Sequence, residues 1–440
     1  MEAARSDNPV LDALLAAAFR LHPATIDLGL DRLARLLGRL GNPHRKLPPV
    51  FHIAGTNGKG STAAFLRAGL EAAGRRVHVY TSPHLVRFNE RIRLNGGLID
   101  DATLITTLRD VLDANGTAPI TFFELTTAAA FLAFARTEAD ACVVEVGLGG
   151  RLDATNVVAP VVTGIAALGL DHQQWLGDSI LDIAGEKAGI AKRGVPLVVS
   201  RYAKTITARI AEVAGLAGAR LLIRGDDWDA VLYEGALHLR DASGKITLPL
   251  PRLAGAHQLD NAALAVAMLR AQKAVAVPDA ALRAAMGWAE WPARLQKLDH
   301  GPLVARLPMG TEAWLDGGHN PSAARAIADA FRGHLLADRP FYLVVGMLDT
   351  KDSAGFFKPF AGRATAVYAV PFPGHSTHPP ESLVARAREA GLPGIIAADV
   401  AAAFTAIAHA ADRKRPPVVL VTGSLHLAGV VLAANGQPPT

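Results

Sequence analysis

The sequence predicts an α/β chain in two parts, a larger parallel-sheet domain over residues 1–297 and a smaller α/β domain over residues 298–440. Three observations carry that expectation. The 440 residues exceed what one hydrophobic core ordinarily serves. Short apolar runs alternate with alanine-rich helical stretches, the pattern of βαβ units. A glycine-rich segment, Gly55 to Thr62, joins the first such run to the first such helix.

The elements follow in order. Val50 to Ala54 reads as a buried strand, Ser61 to Ala73 as a helix closed by Gly74, and Val77 to Tyr80 as the next strand. Strands at Ala141 to Val146 and Val161 to Ile165, a helix over Ile180 to Ala191 and a strand at Pro196 to Ser200 continue the rhythm. Between Ala230 and Leu250 the pattern changes to alternation around Ser243-Gly244, which predicts a small antiparallel insert. Helices over Leu259 to Gln272 and Asp279 to Trp288 come next, and Trp291-Pro292-Ala293-Arg294 ends them at a proline. From about Leu298 the alternation restarts, with strand-like runs at Leu303 to Leu307, Phe341 to Gly346, Ala366 to Pro371 and Val418 to Thr422. The apolar stretch Val418 to Ala434 is interrupted by Thr422, Ser424 and His426 and falls short of the roughly 20 residues a membrane span takes, so strand, turn and helix are expected there.

Half of the residues are apolar and 19% are charged, a balance that supports packed cores. A formal charge of +5 suits anionic small molecules, but no basic run exceeds Arg413-Lys414-Arg415, so no nucleic-acid partner is expected. The single cysteine, Cys142, lies in an apolar run and reads as a buried small hydrophobe. The segment Met1-Glu2-Ala3-Ala4-Arg5-Ser6-Asp7 lacks the basic-then-apolar order of a signal peptide, so a cytoplasmic location is expected.

Gly55-Thr56-Asn57-Gly58-Lys59-Gly60-Ser61-Thr62 carries the clearest chemistry. Backbone N–H groups and a helix N-terminus converge there, the geometry that receives phosphate. Lys59 supplies charge for β- and γ-phosphates, and the Ser61 hydroxyl suits a phosphate oxygen or its magnesium. Against G-x-x-x-x-G-K-[ST] the segment departs twice: Ile53 stands at the first glycine, and Gly60 separates Lys59 from Ser61.

This loop resembles the ATP loop of the Mur ligase superfamily. Thr81-Ser82-Pro83-His84-Leu85 with Arg87-Phe88-Asn89-Glu90-Arg91 is similar to its folate branch, the dihydrofolate and folylpolyglutamate synthases. The likeness runs on through Glu145 to Asn156, Leu170-Asp171-His172, Gly185 to Ile190 and His319-Asn320-Pro321, where Gly318 stands in place of the family's usual alanine. It implies a central Mur ligase ATPase domain of P-loop type followed by a smaller Rossmann-like domain.

Glu145 ends a buried strand, where a carboxylate calls for a counter-charge, and Ser82 and His172 follow two other strands. The resemblance makes all three magnesium ligands. On residue chemistry alone, Ser82 reads equally as a turn residue, Glu145 as half of a salt bridge and His172 as a structural histidine. Lys187, which sequence alone reads as solvated or paired with Glu186, becomes by resemblance a carbamate holding a second magnesium. The same resemblance gives ATP contacts to Thr56, Asn57, Gly58, Lys59, Gly60, Ser61, Asn261, Arg294 and Asp316, and places His319 and Asn320 near the nucleotide or the incoming glutamate. It assigns the pterin or folate to Asp27, Leu28, Gly29, Thr121, Phe122, Phe123, Glu124, Leu152, Asp153 and Ala154. Plain alternatives are a helix cap for Asp27 and helix core for the phenylalanines.

The expected activity is ATP-dependent joining of L-glutamate to dihydropteroate and to reduced folates through an acyl phosphate, with Lys59, Glu145, His172 and Lys187 as catalytic residues. A polyglutamate synthase alone and a cell-wall Mur ligase are the nearest alternatives. A nucleotide-hydrolysing switch and an inactive binding protein are more distant ones. A monomer is expected.

Overall fold

The computed structural model describes residues 6, 8–23, 28–332, 339–412 and 414–440. Among them, the strands form three sheets. The first contains β1 (Val50–Ala54), β2 (Val77–Tyr80), β3 (Ile92–Leu94), β4 (Gly97–Leu98), β5 (Ala141–Glu145), β6 (Pro160–Ile165), β7 (Pro196–Val199) and β8 (Arg220–Ile223), in the order β4-β3-β2-β5-β1-β6-β7-β8. β1 lies between β5 and β6 and runs parallel to both, whereas β3 and β4 form an antiparallel edge.

Strands covered on both faces read as nearly unbroken apolar runs, and β1 and β5 are buried at every position. The helices Lys59–Ala72, Ala256–Ala271 and Asp279–Trp288 pack on one face of the sheet. Pro9–Arg20, Asp31–Arg39, Asp101–Asn115 and Phe122–Arg136 pack on the other. Phe51, Phe65 and Phe131 are fully enclosed between these layers. Truncating one such ring costs about 3–5 kcal/mol, so the central strands stand on a stiff base. The expected insert is present as β9 (Asp229–Tyr233), β10 (Ala236–Asp241) and β11 (Gly244–Leu248), an antiparallel sheet that turns Leu237, Leu239, Ile246 and Leu248 toward the core.

The second large sheet holds β12 (Gln296–Leu298), β13 (Glu312–Leu315), β14 (Phe341–Val345), β15 (Ala366–Ala369), β16 (Gly394–Ile396) and β17 (Val418–Thr422), in the order β12-β13-β17-β14-β15-β16. β12 pairs antiparallel with β13 and the other neighbours are parallel. This sheet therefore begins upstream of residue 298.

Leu303 to Leu307 is not a strand. It forms a 3-10 turn over Val304–Arg306, with Leu303 and Leu307 both buried. Their four-residue spacing is helical, and the prolines at 302 and 308 bound the run on each side. The Ile180–Ala188 helix also stops before Ala191, at Gly189. Val418 to Ala434 divides into β17, a turn and the Leu425–Ala434 helix, and no helix among the described residues is long and apolar enough to cross a membrane.

Candidate active site

The loop after β1 is fastened from below before any ligand is considered. Thr56 and Asn57 donate their amides to the Ala167 carbonyl, at 2.9 and 3.1 Å, and the Thr56 hydroxyl donates to the Gly169 carbonyl at 3.0 Å. Gly58 has φ +83°, and a side chain there would also run into the Asn261 amide, with Cγ only 3.1 Å from the added carbon. Asn261 in turn donates to Gln258 Oε1 at 3.0 Å. Gly60 marks where the segment leaves the usual P-loop pattern, and the reason lies far along the chain. The Trp291 indole packs against it so closely that a Cβ would stand 2.7 Å from the ring.

Lys59 opens the Lys59–Ala72 helix, and its ammonium donates to the Gly55 carbonyl at 3.1 Å and lies 4.0 Å from Glu145 Oε1. Glu145, at the end of β5, is buried, and burial raises its carboxyl to about 6 even though Lys59 pulls the other way. The Ser82 amide approaches its Oε2 at 3.4 Å. Ser61 Oγ and Thr62 Oγ1 are buried and have no hydrogen-bond partner. A buried carboxylate facing the phosphate loop, and hydroxyls of that loop left without a partner, are chemistry that a hard divalent cation completes.

His172 follows β6 at φ +53°, and although its side chain is 46% exposed, desolvation by the surrounding protein lowers its imidazole to about 4 despite the neighbouring Asp171. It is therefore neutral at pH 7, the form that binds metal. Among the described residues no three His, Cys, Asp or Glu side chains converge tightly enough to hold a metal unaided. A cation here would share phosphate oxygens, as magnesium commonly does. The residues present fit such an ion.

Lys187 is not a solvated side chain, nor is it the partner of Glu186. It is buried, and Glu186 pairs instead with Arg151 at 2.8 Å. Burial, and then the charge of Lys59, lower its ammonium to about 7. An amine with that acidity is substantially neutral, and therefore nucleophilic, near neutral pH.

Asp171 joins the two lobes. Its carboxylate takes the Lys351 ammonium at 2.6 Å and the Asn320 amide at 3.2 Å, and His319 Nε2 stands 3.5 Å away. Although burial opposes it, the hydrogen bond from His319 and the surrounding cations hold this carboxyl well below the ordinary range. Asn57 also reaches across, donating to Ser322 at 2.7 Å and Asn320 at 3.2 Å. Lys351 and Trp291 were not expected from the sequence. A lysine in Asp349-Thr350-Lys351-Asp352 and a tryptophan before a proline carry no local pattern that marks them. Asp316 is committed to backbone, accepting from Leu295 N at 2.8 Å and Gly318 N at 2.7 Å. Arg294 lines the cleft between the lobes together with Ser82, Glu145, Trp291 and Leu425.

The expected pterin residues divide. Asp27 lies outside the described residues, and Leu28 and Gly29 are half-buried. Thr121 and Glu124 form a capping box at the start of the Phe122–Arg136 helix, and Glu124 also pairs with Arg32 at 3.0 Å. Phe122 packs edge-on against Phe19 and Phe88, and Phe123 stacks on Tyr80 beside Gly147. Asp153 is buried; it accepts the amides of Leu148 at 2.8 Å and Thr155 at 2.9 Å and fixes the loop that carries Leu152 and Ala154. Thr155 also meets His52 Nε2 at 2.9 Å, which ties this loop to β1.

A model of the Mur ligase glutamate ligase domain matches residues 303–425. The dihydrofolate synthase/folylpolyglutamate synthase of Escherichia coli K12 is 36% identical over 94% of this chain and 92% of its own length. The Lacticaseibacillus casei folylpolyglutamate synthase is 33% identical over 91% and 92%. Among solved structures, E. coli FolC in complex with DHPP and ADP superposes with a TM-score of 0.87 at 34% identity, covering 98% of each chain. A bifunctional synthase from Yersinia pestis, complexed with AMPPNP and Mn ion, gives 0.85 at 33% identity and the same coverage.

Proposed function

Because the chain belongs to the dihydrofolate synthase/folylpolyglutamate synthase family of Mur ligases, we propose that it uses ATP to join L-glutamate to dihydropteroate and to reduced folates. A free carboxylate is too weak an electrophile for an amine. The γ-phosphoryl group therefore passes from ATP to a carboxylate oxygen, breaking the bond to ADP and forming an acyl phosphate. The neutral glutamate amine then adds to the carbonyl carbon, phosphate departs with the C–O electron pair, and the nitrogen loses a proton.

The observation that carries this reading is the convergence of the Lys59 loop, Glu145 and the Ser82 segment on one interlobe cleft. The loop amides orient the phosphates and Lys59 balances charge that grows on the transferring group. Thr56, Asn57, Gly58, Gly60, Ser61 and Asn261 complete the nucleotide cradle, with Arg294 and Asp316 closing it from the second lobe. Ser61, Ser82, Glu145 and His172 would hold a divalent cation, which supplies Lewis-acid charge to the phosphates when bound. Lys187, as a carbamate, is the ligand we assign to a second magnesium. Asp171 and Lys351 hold the lobes in register around the reacting groups, while the Phe122–Phe123 and Leu152–Ala154 segments, with Leu28 and Gly29, border the pterin.

The test is ADP release by purified protein with L-glutamate, against dihydropteroate and tetrahydrofolate separately. Release with both acceptors, dependent on glutamate, is expected. Release with tetrahydrofolate alone would reduce the enzyme to a polyglutamate synthase, and nucleotide hydrolysis indifferent to glutamate would remove the ligase reading.

A further inference from the structure

The Leu425–Ala434 helix of the second lobe meets the first lobe at a notch. Gly429, inside that helix, is buried against the main chain of Leu85. A methyl group on its α-carbon would stand 2.6 Å from the Leu85 carbonyl carbon and closer still to its oxygen. The obstacle is backbone, which cannot swing aside as a side-chain tip does. Glycine in a helix interior costs about 1 kcal/mol relative to alanine, so its presence here answers a need for close approach.

What is approached is the segment that carries Ser82. Leu85 and Val86 pack against the second-lobe core to which Leu427, Ala428 and Val431 of this helix belong. Their amides donate to Glu90 at 2.7 and 2.8 Å, so the segment is braced and moves as a piece. At its other end the Ser82 amide faces Glu145. Leu425, one turn before Gly429, shares the cleft with Ser82 and Glu145.

We propose that Gly429 is a positioning residue for the ligation: it lets the second lobe seat on the Leu85 backbone, and that seating sets Ser82 against Glu145. A side chain at 429 holds the lobes apart and leaves the reacting groups out of register. The inference rests on the ligase reading for its activity measurement and stands independently of it for the seating.

The experiment compares Gly429→Ala and Leu85→Ala with the parent enzyme in thermal midpoint, in kcat and KM for glutamate-dependent ADP release, and in lobe separation. Separation is read by pulsed electron resonance between spin labels at Leu216→Cys and Met309→Cys, positions that are 83% and 96% exposed in the first and second lobes. Cys142 is buried and does not compete for label. Gly429→Ala is expected to remain folded with a lowered midpoint, to lengthen the label separation, and to lower kcat by on the order of 100-fold, the effect of an ångström-scale misplacement. Leu85→Ala is expected to move separation and kcat in the same directions by less. Unchanged kcat in Gly429→Ala, or a fall in kcat with unchanged separation, overturns the proposal. Should Gly429→Ala fail to fold, Leu85→Ala decides: longer separation with lower kcat supports the seating, and parental values for both overturn it. If the parent itself releases no ADP with glutamate, the ligase reading fails, while the label separation still tests the notch.

Discussion

Lys59 rests its ammonium on the carbonyls of Gly55 and Thr56 and stays 4.0 Å from Glu145, so it adds charge to the site and little packing to the fold. Lys59→Ala is expected to abolish ADP release while circular dichroism and the thermal midpoint stay at parental values. Lys187→Ala should likewise be inactive, and partly restored by small carboxylic acids that replace the carbamate; an intact mass showing an unmodified lysine in fully active protein would defeat that assignment. His52 titrates in the fold near 3 against an ordinary 6.5, because burial disfavours its cation. Between those values the unfolded chain binds the proton and the folded chain does not, so this stability is complete above pH 6.5 and is lost as pH falls. The loss is about 2 kcal/mol by pH 5. Denaturant midpoints of His52→Gln should therefore decline less than those of the parent on going from pH 7 to pH 5, and equal declines would show that His52 is not the group responsible.

At the scale of elements, the turn from β1 into the Lys59–Ala72 helix is shaped by a neighbour remote in sequence. Gly60→Ala would push the Trp291 ring off the helix start, and nucleotide affinity measured by calorimetry is expected to fall about tenfold, near 1.4 kcal/mol, with little change in midpoint. Parental affinity would mean that the ring yields without cost. The strands β1, β2 and β5, the antiparallel insert and the phosphate loop were legible in the sequence because each is encoded by a local pattern of apolar, glycine and turn residues. Ser82 and Glu145 were placed correctly at strand ends, and the structure brings them together. The 3-10 turn at Val304–Arg306 was misread because two leucines four apart fit a short strand run as well as a turn. Trp291 on Gly60 and Lys351 on Asp171 were illegible for another reason. Each pairs residues separated by more than a hundred positions, and neither partner departs from its local context.

Across the whole molecule, the Asp171–Lys351 pair is the shortest ionic tie described between the lobes, with each side chain only 10% exposed. Removing one member of such a pair strands the other in a poorly solvated place, at about 3 kcal/mol. Lys351→Met is expected to lower the calorimetric midpoint and to separate unfolding into two steps as the lobes lose their coupling; a single transition at the parental temperature would refute this. A further tie borders the cleft, where Arg87 and Arg93 donate to the main-chain oxygens of Pro439 and Thr440 at 3.2 and 2.6 Å. The polypeptide already passes between lobes at Trp291 to Leu295, so this tail contact adds one more point of attachment to those made by Asp171, Asn57 and Gly429. A seam stitched at several places does not part when one stitch is cut. Detaching the tail would therefore leave the lobes joined through Asp171, Asn57 and the Leu85 notch, and the cleft would keep its walls.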